Sequence, residues 1–280
     1  MTTETAWSRL AVNRAAILGG AVVVLFVFLG LFGPWLAPYD PLGQELRDNY
    51  QSMSAAHWLG TDDLGRDVFS RLLFGARISL SISLVGVSGG LILGVLLGLT
   101  AAYAGGWTDA IIMRFVDILY ALPGILLAIA IIAVLGKGVV NTIIAVVIYS
   151  VPIFARVVRG SVLSVLELEY VEACRAAGAS APRIILSHVM PNASSQLIVQ
   201  ATLMLGTAIL MASGLSFLGL GVQPPNPEWG AMLSKGRELM RTTPVVAVAP
   251  GLAITLVVLS FSVVGDGLRD ALDPKYREGR

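Results

Sequence analysis

The sequence predicts an all-α integral membrane protein, a bundle of six spanning helices, and three observations lead there. Hydrophobic residues make up 56% of the 280-residue chain and charged residues 13%, about half the charged share of a soluble domain. The charges are clustered, leaving uncharged runs between Arg14 and Asp40, Arg77 and Asp109, Asp117 and Lys137, Lys137 and Arg156, Arg183 and Glu228, and Arg241 and Asp266. Even the shortest, Gly138 to Ala155, reaches about 27 Å as a helix, close to the roughly 30 Å hydrocarbon core. One such run fits a buried helix of a soluble protein. Six in one chain do not.

The first span, near 15–37, has an apolar run too long for a signal-peptide core and no clear small-residue cleavage site after it, so it reads as a retained anchor. An extracytoplasmic loop follows over 38–78 and ends in Gly60-Thr-Asp-Asp-Leu-Gly-Arg-Asp-Val-Phe-Ser-Arg-Leu-Leu-Phe-Gly75. There Asp62 and Asp63 suit the first turn of a helix, Asp67 and Arg71 stand four apart, and Leu64, Val68, Leu72 and Ala76 share one face. The spacing reads as an amphipathic helix lying at the outer interface. The second span, near 79–103, carries Gly86, Gly90, Gly94 and Gly98 followed by Ala102 at four-residue intervals. Such a stripe bares backbone along one face and lets another helix approach closely, so helix packing is preferred to pore lining.

The third and fourth spans lie near 118–136 and 138–155, the fifth and sixth near 195–222 and 243–265. Pro123, Pro152 and Pro250 fall in or near them and are tolerated where neighbouring helices satisfy the freed carbonyls. A cytoplasmic loop covers 156–194. The connection Pro224–Pro244 holds Trp229 and Met232 on a short helix, with two readings open: contact with a binding protein, or a cap at the interface, where tryptophan is favoured. A small excess of Lys and Arg on the side of the tails, the 104–117 loop and the 156–194 loop places both termini in the cytoplasm.

The absences narrow the function. A net charge of +1 leaves no basic excess for nucleic acid. One cysteine, Cys174, and two histidines, His57 and His188, supply no disulfide framework or zinc cluster. No span holds Asp, Glu, Lys, Arg or His near its middle, where ion-driven carriers keep their relays. Ser213 and Ser216 have no base beside them in sequence, so no hydrolytic set assembles. Gly136-Lys137-Gly138 lacks the upstream glycine and following hydroxyl of a phosphate loop, and Gly219-Leu-Gly221 runs into Pro224-Pro225 as a helix end. The chain reads as a pathway powered from elsewhere. If nucleotide drives it, another polypeptide binds the nucleotide.

The stretch Glu169-Tyr-Val-Glu-Ala-Cys-Arg-Ala-Ala-Gly178-Ala-Ser-Ala-Pro-Arg-Ile-Ile-Leu-Ser-His-Val-Met-Pro191 reads as a short helix stopped at Gly178, then a second short helix restarted by Ser180 and Pro182 and ended at Pro191. It resembles the cytoplasmic pattern of ABC importer permeases, Glu-Ala-Ala, three residues, Gly, nine residues, Ile-x-Leu-Pro. Glu172, Ala173, Cys174, Gly178 and Pro191 stand at that spacing. The sequence departs from alanine at Cys174, from isoleucine at His188 and from leucine at Met190. The stretches Trp35–Pro41, His57–Asp67, Ser216–Pro225, Pro227–Met232 and Gly265–Pro274 are similar to the C-type permease of dipeptide and oligopeptide importers.

The resemblance implies a type I ABC importer permease of the bacterial inner membrane, with a coupling helix at Glu172–Pro191. It implies a heterodimer with a second homologous permease, two ABC ATPase subunits that bind ATP and Mg, and an extracytoplasmic substrate-binding protein. This chain would bind no cofactor. Cargo stays open among dipeptides, oligopeptides, glutathione and nickel chelates. The tail, with Asp266, Asp270 and Asp273 among Arg269, Lys275 and Arg277, is either an ATPase docking strip or a solvated helix end.

Overall fold

The computed structural model describes residues 13–272, and every regular element among them is helical. The tail residues Asp273, Lys275 and Arg277 lie outside the described residues. Helix α1 (Arg14–Leu36) starts at Asn13, whose side chain accepts from the Ala16 amide at 3.1 Å. It meets the bundle through Gly19, Gly30 and Gly33 and leaves Leu18, Val24 and Leu31 exposed.

Helix α2 (Val68–Ala104) runs 37 residues without a break, about 55 Å. A separate amphipathic helix lying at the interface is therefore overturned. Asp67 caps α2, accepting from the Ser70 amide at 2.7 Å, and nothing between Val68 and the second span stops propagation. Val68 and Ala76 are buried in the bundle rather than laid on a surface. The expected Asp67–Arg71 pair does not form either. Asp67 instead meets His57 Nδ1 at 2.9 Å, and Arg71 donates to the Pro41 carbonyl at 2.8 Å.

Helices α3 (Gly106–Ala121) and α4 (Gly124–Leu135) replace the expected loop at 104–117 and the single third span, and they meet at 98°. Pro123 has no amide and pushes Leu122 into extended backbone, φ −86° and ψ 134°, which ends the first helix. Helix α5 (Val139–Leu166) takes Pro152 in its interior and continues past Arg156 and Arg159. Charge marks where apolar surroundings end. It does not stop a helix.

After α6 (Glu169–Ala176) and α7 (Ala181–Ile184), a π-turn over Ile185–Val189 leads straight into α8 (Met190–Phe217). The expected end of the second short helix at Pro191 is overturned, because Pro191 sits in the first turn of α8. Its ring crowds the carbonyl four residues back, and the wider turn relieves this, with the Met190 amide bonding to the Ile185 carbonyl. Residues 181–217 thus form one rod. Helix α9 (Trp229–Glu238) precedes α10 (Val245–Leu272). Trp229 and Met232 are buried, 0% and 5% exposed, so they cap the bundle and have no surface to offer a partner.

Five helices, α1, α2, α5, the α7–α8 rod and α10, are long and apolar enough to cross a membrane, and the bent α3–α4 pair brings the number to six when it is taken as one span. One apolar core joins α2, α4, α5 and α8 through Ile82, Ile132, Phe154 and Leu215. A second joins α2, α8, α9 and α10 through Val68, Ile209, Trp229 and Val257. Lipid tails are as apolar as these side chains, so close packing rather than water exclusion holds the helices together.

Candidate functional site

Four groups of residues stand out, two of them anticipated. Glu169–Pro191 forms a knob at one end of the bundle. Val171, Ile184 and Val189 are buried and root it in the core, while Glu169, Glu172, Ala173 and Leu186 are exposed. Helix α6 closes with the Ala179 amide on the Cys174 carbonyl at 3.0 Å, a six-to-one bond that brings Gly178 to φ +84°. No heavy atom lies within 4 Å of a Cβ built on Gly178, so the left-handed backbone alone asks for glycine there. Cys174 Sγ lies 3.9 Å from His188 Nε2, and the His188 ring stands edge-on to Tyr170 at 5.5 Å. Pro191 lies one residue into α8, beside the π-turn.

The glycine stripe faces α5. A Cβ at Gly86 would sit 2.5 Å from Val146 Cγ1; at Gly94 it would sit 2.5 Å from Phe154 Cβ and 2.9 Å from the Val151 carbonyl. At Gly98 it would sit 2.5 Å from the Ala155 carbonyl, and Gly90 abuts Ser150 in the same way. Both residue numbers rise together along this seam, so α2 and α5 run parallel. Backbone meets backbone over three turns.

At the end opposite the knob lies a polar cluster that sequence reasoning missed. Asp62 accepts from Arg66 Nε at 2.8 Å and from the Leu64 and Arg66 amides at 3.0 Å each. Lys235 Nζ of α9 lies 3.2 Å from Asp63 Oδ2, a contact that raises the lysine pKa. Between them opens a cleft of about 350 Å³. Beneath it Glu228 is fully buried. Its carboxylate caps α9 at the Ala231 amide, 2.9 Å away, and accepts from the Ser79 and Ser213 hydroxyls at 3.3 Å each. Burial pushes the Glu228 pKa up, and its hydrogen bonds to backbone amides and serines work against that rise. The only signal in the sequence is that Glu228 is the first charge after the long run from Arg183.

A fourth group surrounds the α3–α4 bend. Asp117 accepts from Arg156 Nη2 at 2.6 Å, the Arg156 guanidinium lies 4.2 Å over the Tyr120 ring, and Gly124 abuts the Tyr149 ring. One turn further along α5, Arg159 holds Asp109. These pairs are 39 and 50 residues apart in sequence, beyond any local spacing rule. Among the described residues, no three His, Cys, Asp or Glu side chains gather to hold a metal ion.

Comparison with known proteins accounts for the arrangement. Residues 90–278 match the family of binding-protein-dependent transport system inner membrane components, and residues 3–52 match the N-terminal transmembrane domain of oligopeptide transport permease C. The glutathione transport system permease GsiD of Pectobacterium atrosepticum is 47% identical over 272 residues, 97% of this chain and 90% of that protein. The dipeptide transport system permease DppC of Alkalihalophilus pseudofirmus is 48% identical over the same coverage. An inward-facing structure of the MetNI methionine ABC transporter shares the fold, with TM-score 0.58 and 20% identity over 72% of this chain and 97% of that one. The family match begins within the glycine seam and runs through the last span. The chain belongs to the binding-protein-dependent transport system inner membrane components, the permease subunits of ABC importers, and is a transport component rather than an enzyme.

Proposed function

We propose that this permease imports small peptides, driven by ATP hydrolysis in partner subunits that push on the 169–191 knob. The carrying observation is the continuity of residues 181–217. A helix that begins in the knob and ends at Phe217 is about 55 Å long, and its far part meets α2 where Ser83 donates to the Leu205 carbonyl and α10 where Gly206 faces Val258 and Phe261. A displacement applied at Leu186 therefore reaches the other end of the bundle as rigid-body motion. In this reading the knob end and both termini face the cytoplasm, residues 38–78 lie outside, and Glu172, Ala173, Cys174, Gly178 and Pro191 shape the contact with two ATP- and Mg-binding subunits. A second, homologous permease completes the pathway, and an extracytoplasmic binding protein delivers cargo.

The cargo class follows the relatives. Their names divide between glutathione and dipeptide transport, and both are short peptides that carry an ammonium and at least one carboxylate. The test is reconstitution of the complex in proteoliposomes, with ATP-dependent accumulation of alanyl-alanine, a tetrapeptide and glutathione measured side by side. Uptake of at least one small peptide is expected. Brisk ATP hydrolysis with uptake of none would overturn the reading.

A further inference from the structure

We propose that the break between α3 and α4, with Asp117, Tyr120, Tyr149 and Arg156 around it, lines a water-filled stretch of the pathway and receives the two charged ends of a zwitterionic peptide. The proposal rests on the import reading above and locates it within this chain.

Depth comes first. Gly124 abuts Tyr149, which lies about 15 Å along α5 from Val139, near the middle of a roughly 30 Å hydrocarbon core. Helix α4 has 12 residues and rises only about 18 Å, so the chain is interrupted inside the membrane. The last carbonyls of α3 and the first amides of α4 have no intrahelical partners, and Ala121, Leu122 and Pro123 are exposed. Lipid cannot satisfy such groups. Irregular backbone at this depth survives only against protein or beside water.

Charge decides for water. Asp117 and Arg156 form their 2.6 Å pair with side chains 50% and 42% exposed, and Tyr120 beneath the guanidinium is 53% exposed. Arg156 stands about 26 Å along α5 from Val139, at the knob-side edge of the core, so the pair opens the break towards water at that end, where ionised groups belong. Gly160, one turn beyond Arg156, has open space where a Cβ would stand. The exposed faces of α1 from Ala15 to Leu36 and of α2 from Ile78 to Ala104, by contrast, present residues such as Val24 and Leu96 and no charge.

The chemistry suits one ligand class. A peptide carboxylate can take the Arg156 fork while its ammonium takes Asp117, so both halves of the ion pair change partner with no net change in charge. Bared carbonyls at the end of α3 can accept peptide N–H groups. No contact in this set depends on the cargo's side chains, which makes the site tolerant of sequence.

The test uses the assembled complex in membranes, with the labelling of Cys174 in the otherwise unsubstituted complex measured as background. Single substitutions Leu122→Cys and Tyr120→Cys are compared with Val24→Cys and Leu96→Cys, using a charged methanethiosulfonate reagent. The first pair is expected to react at least tenfold faster than the second, and excess alanyl-alanine or S-methylglutathione to slow it severalfold. Reaction at Leu122→Cys as slow as at Val24→Cys, with and without a trapped ATP analogue, overturns the aqueous lining. Fast reaction that neither peptide slows overturns the peptide site. Labelling needs no cargo, so its failure alongside intact uptake leaves the import reading standing, while failed uptake with fast labelling removes import alone.

Discussion

Arg159 holds Asp109 at two points, Nε on Oδ1 and Nη2 on Oδ2, both at 2.6 Å. The fork fastens α3 to α5 beside Gly98, where a Cβ would sit 3.2 Å from the Arg159 amide nitrogen. Arg159→Lys keeps the charge and loses the two-point geometry. With side chains 31% and 22% exposed, solvent screens the pair, and a loss of about 1 kcal/mol is expected. A lower thermal unfolding midpoint in detergent would register it, and a midpoint equal to wild type would show that the fork contributes nothing.

The α2–α5 seam leaves no room for side chains. Gly94→Ala should cost about 1–3 kcal/mol by overpacking, and Gly90→Leu or Gly94→Leu should prevent recovery of a folded, assembled permease. Gly20→Leu is the control, because nothing lies within 4 Å of a Cβ built there. Co-purification with the partner subunits measures all four. Equal yields would mean that the seam is not the packing contact that sets assembly.

Glu228 predicts a pH dependence whose sign is set by burial. Its pKa in the folded protein lies above the ordinary 4.5, so between these values the folded state holds the proton more tightly. Stability is fully present below the ordinary value and falls as pH rises through the raised one. Glu228→Gln removes the ionisable group, keeps an oxygen for the Ala231 amide and turns an NH2 donor towards the serine hydroxyls, and should flatten that slope. Glu228→Ala strands the Ala231 amide and two serines, at a cost of about 1–3 kcal/mol. Unfolding midpoints from pH 4 to pH 8 would separate the two variants, and identical profiles for wild type and Glu228→Gln would refute the titration.

The knob yields a functional prediction. Gly178→Ala places a β-carbon on left-handed backbone at roughly 1 kcal/mol, a strain α6 can relieve only by re-aiming. Both it and Glu172→Ala should insert and assemble normally yet hydrolyse ATP without matching uptake. The ratio of transported peptide to ATP consumed is the readout, and a wild-type ratio in both variants would remove coupling from this segment.

Some of this architecture is legible in the chain and some is not, for physical reasons. Apolar runs, the four-residue glycine interval and the stop at Gly178 are local patterns, because helix periodicity and left-handed backbone act within a few residues. Pro191 misleads because its effect depends on the backbone before it, where a π-turn absorbs the lost bond and lets the rod continue. Pro123 looks equally tolerable, yet nothing spans its gap, and the chain turns by 98°.

Composition and periodicity by themselves settle that this chain is a helical membrane bundle, because burying charge in lipid costs more than any local rearrangement returns. Only the tertiary structure decided where the remaining charges meet. Asp117 with Arg156, Asp109 with Arg159, and Glu228 between Ser79 and Ser213 are joined across tens of residues. Their partners are chosen by how the helices stack, a relation that exists only once the chain has folded.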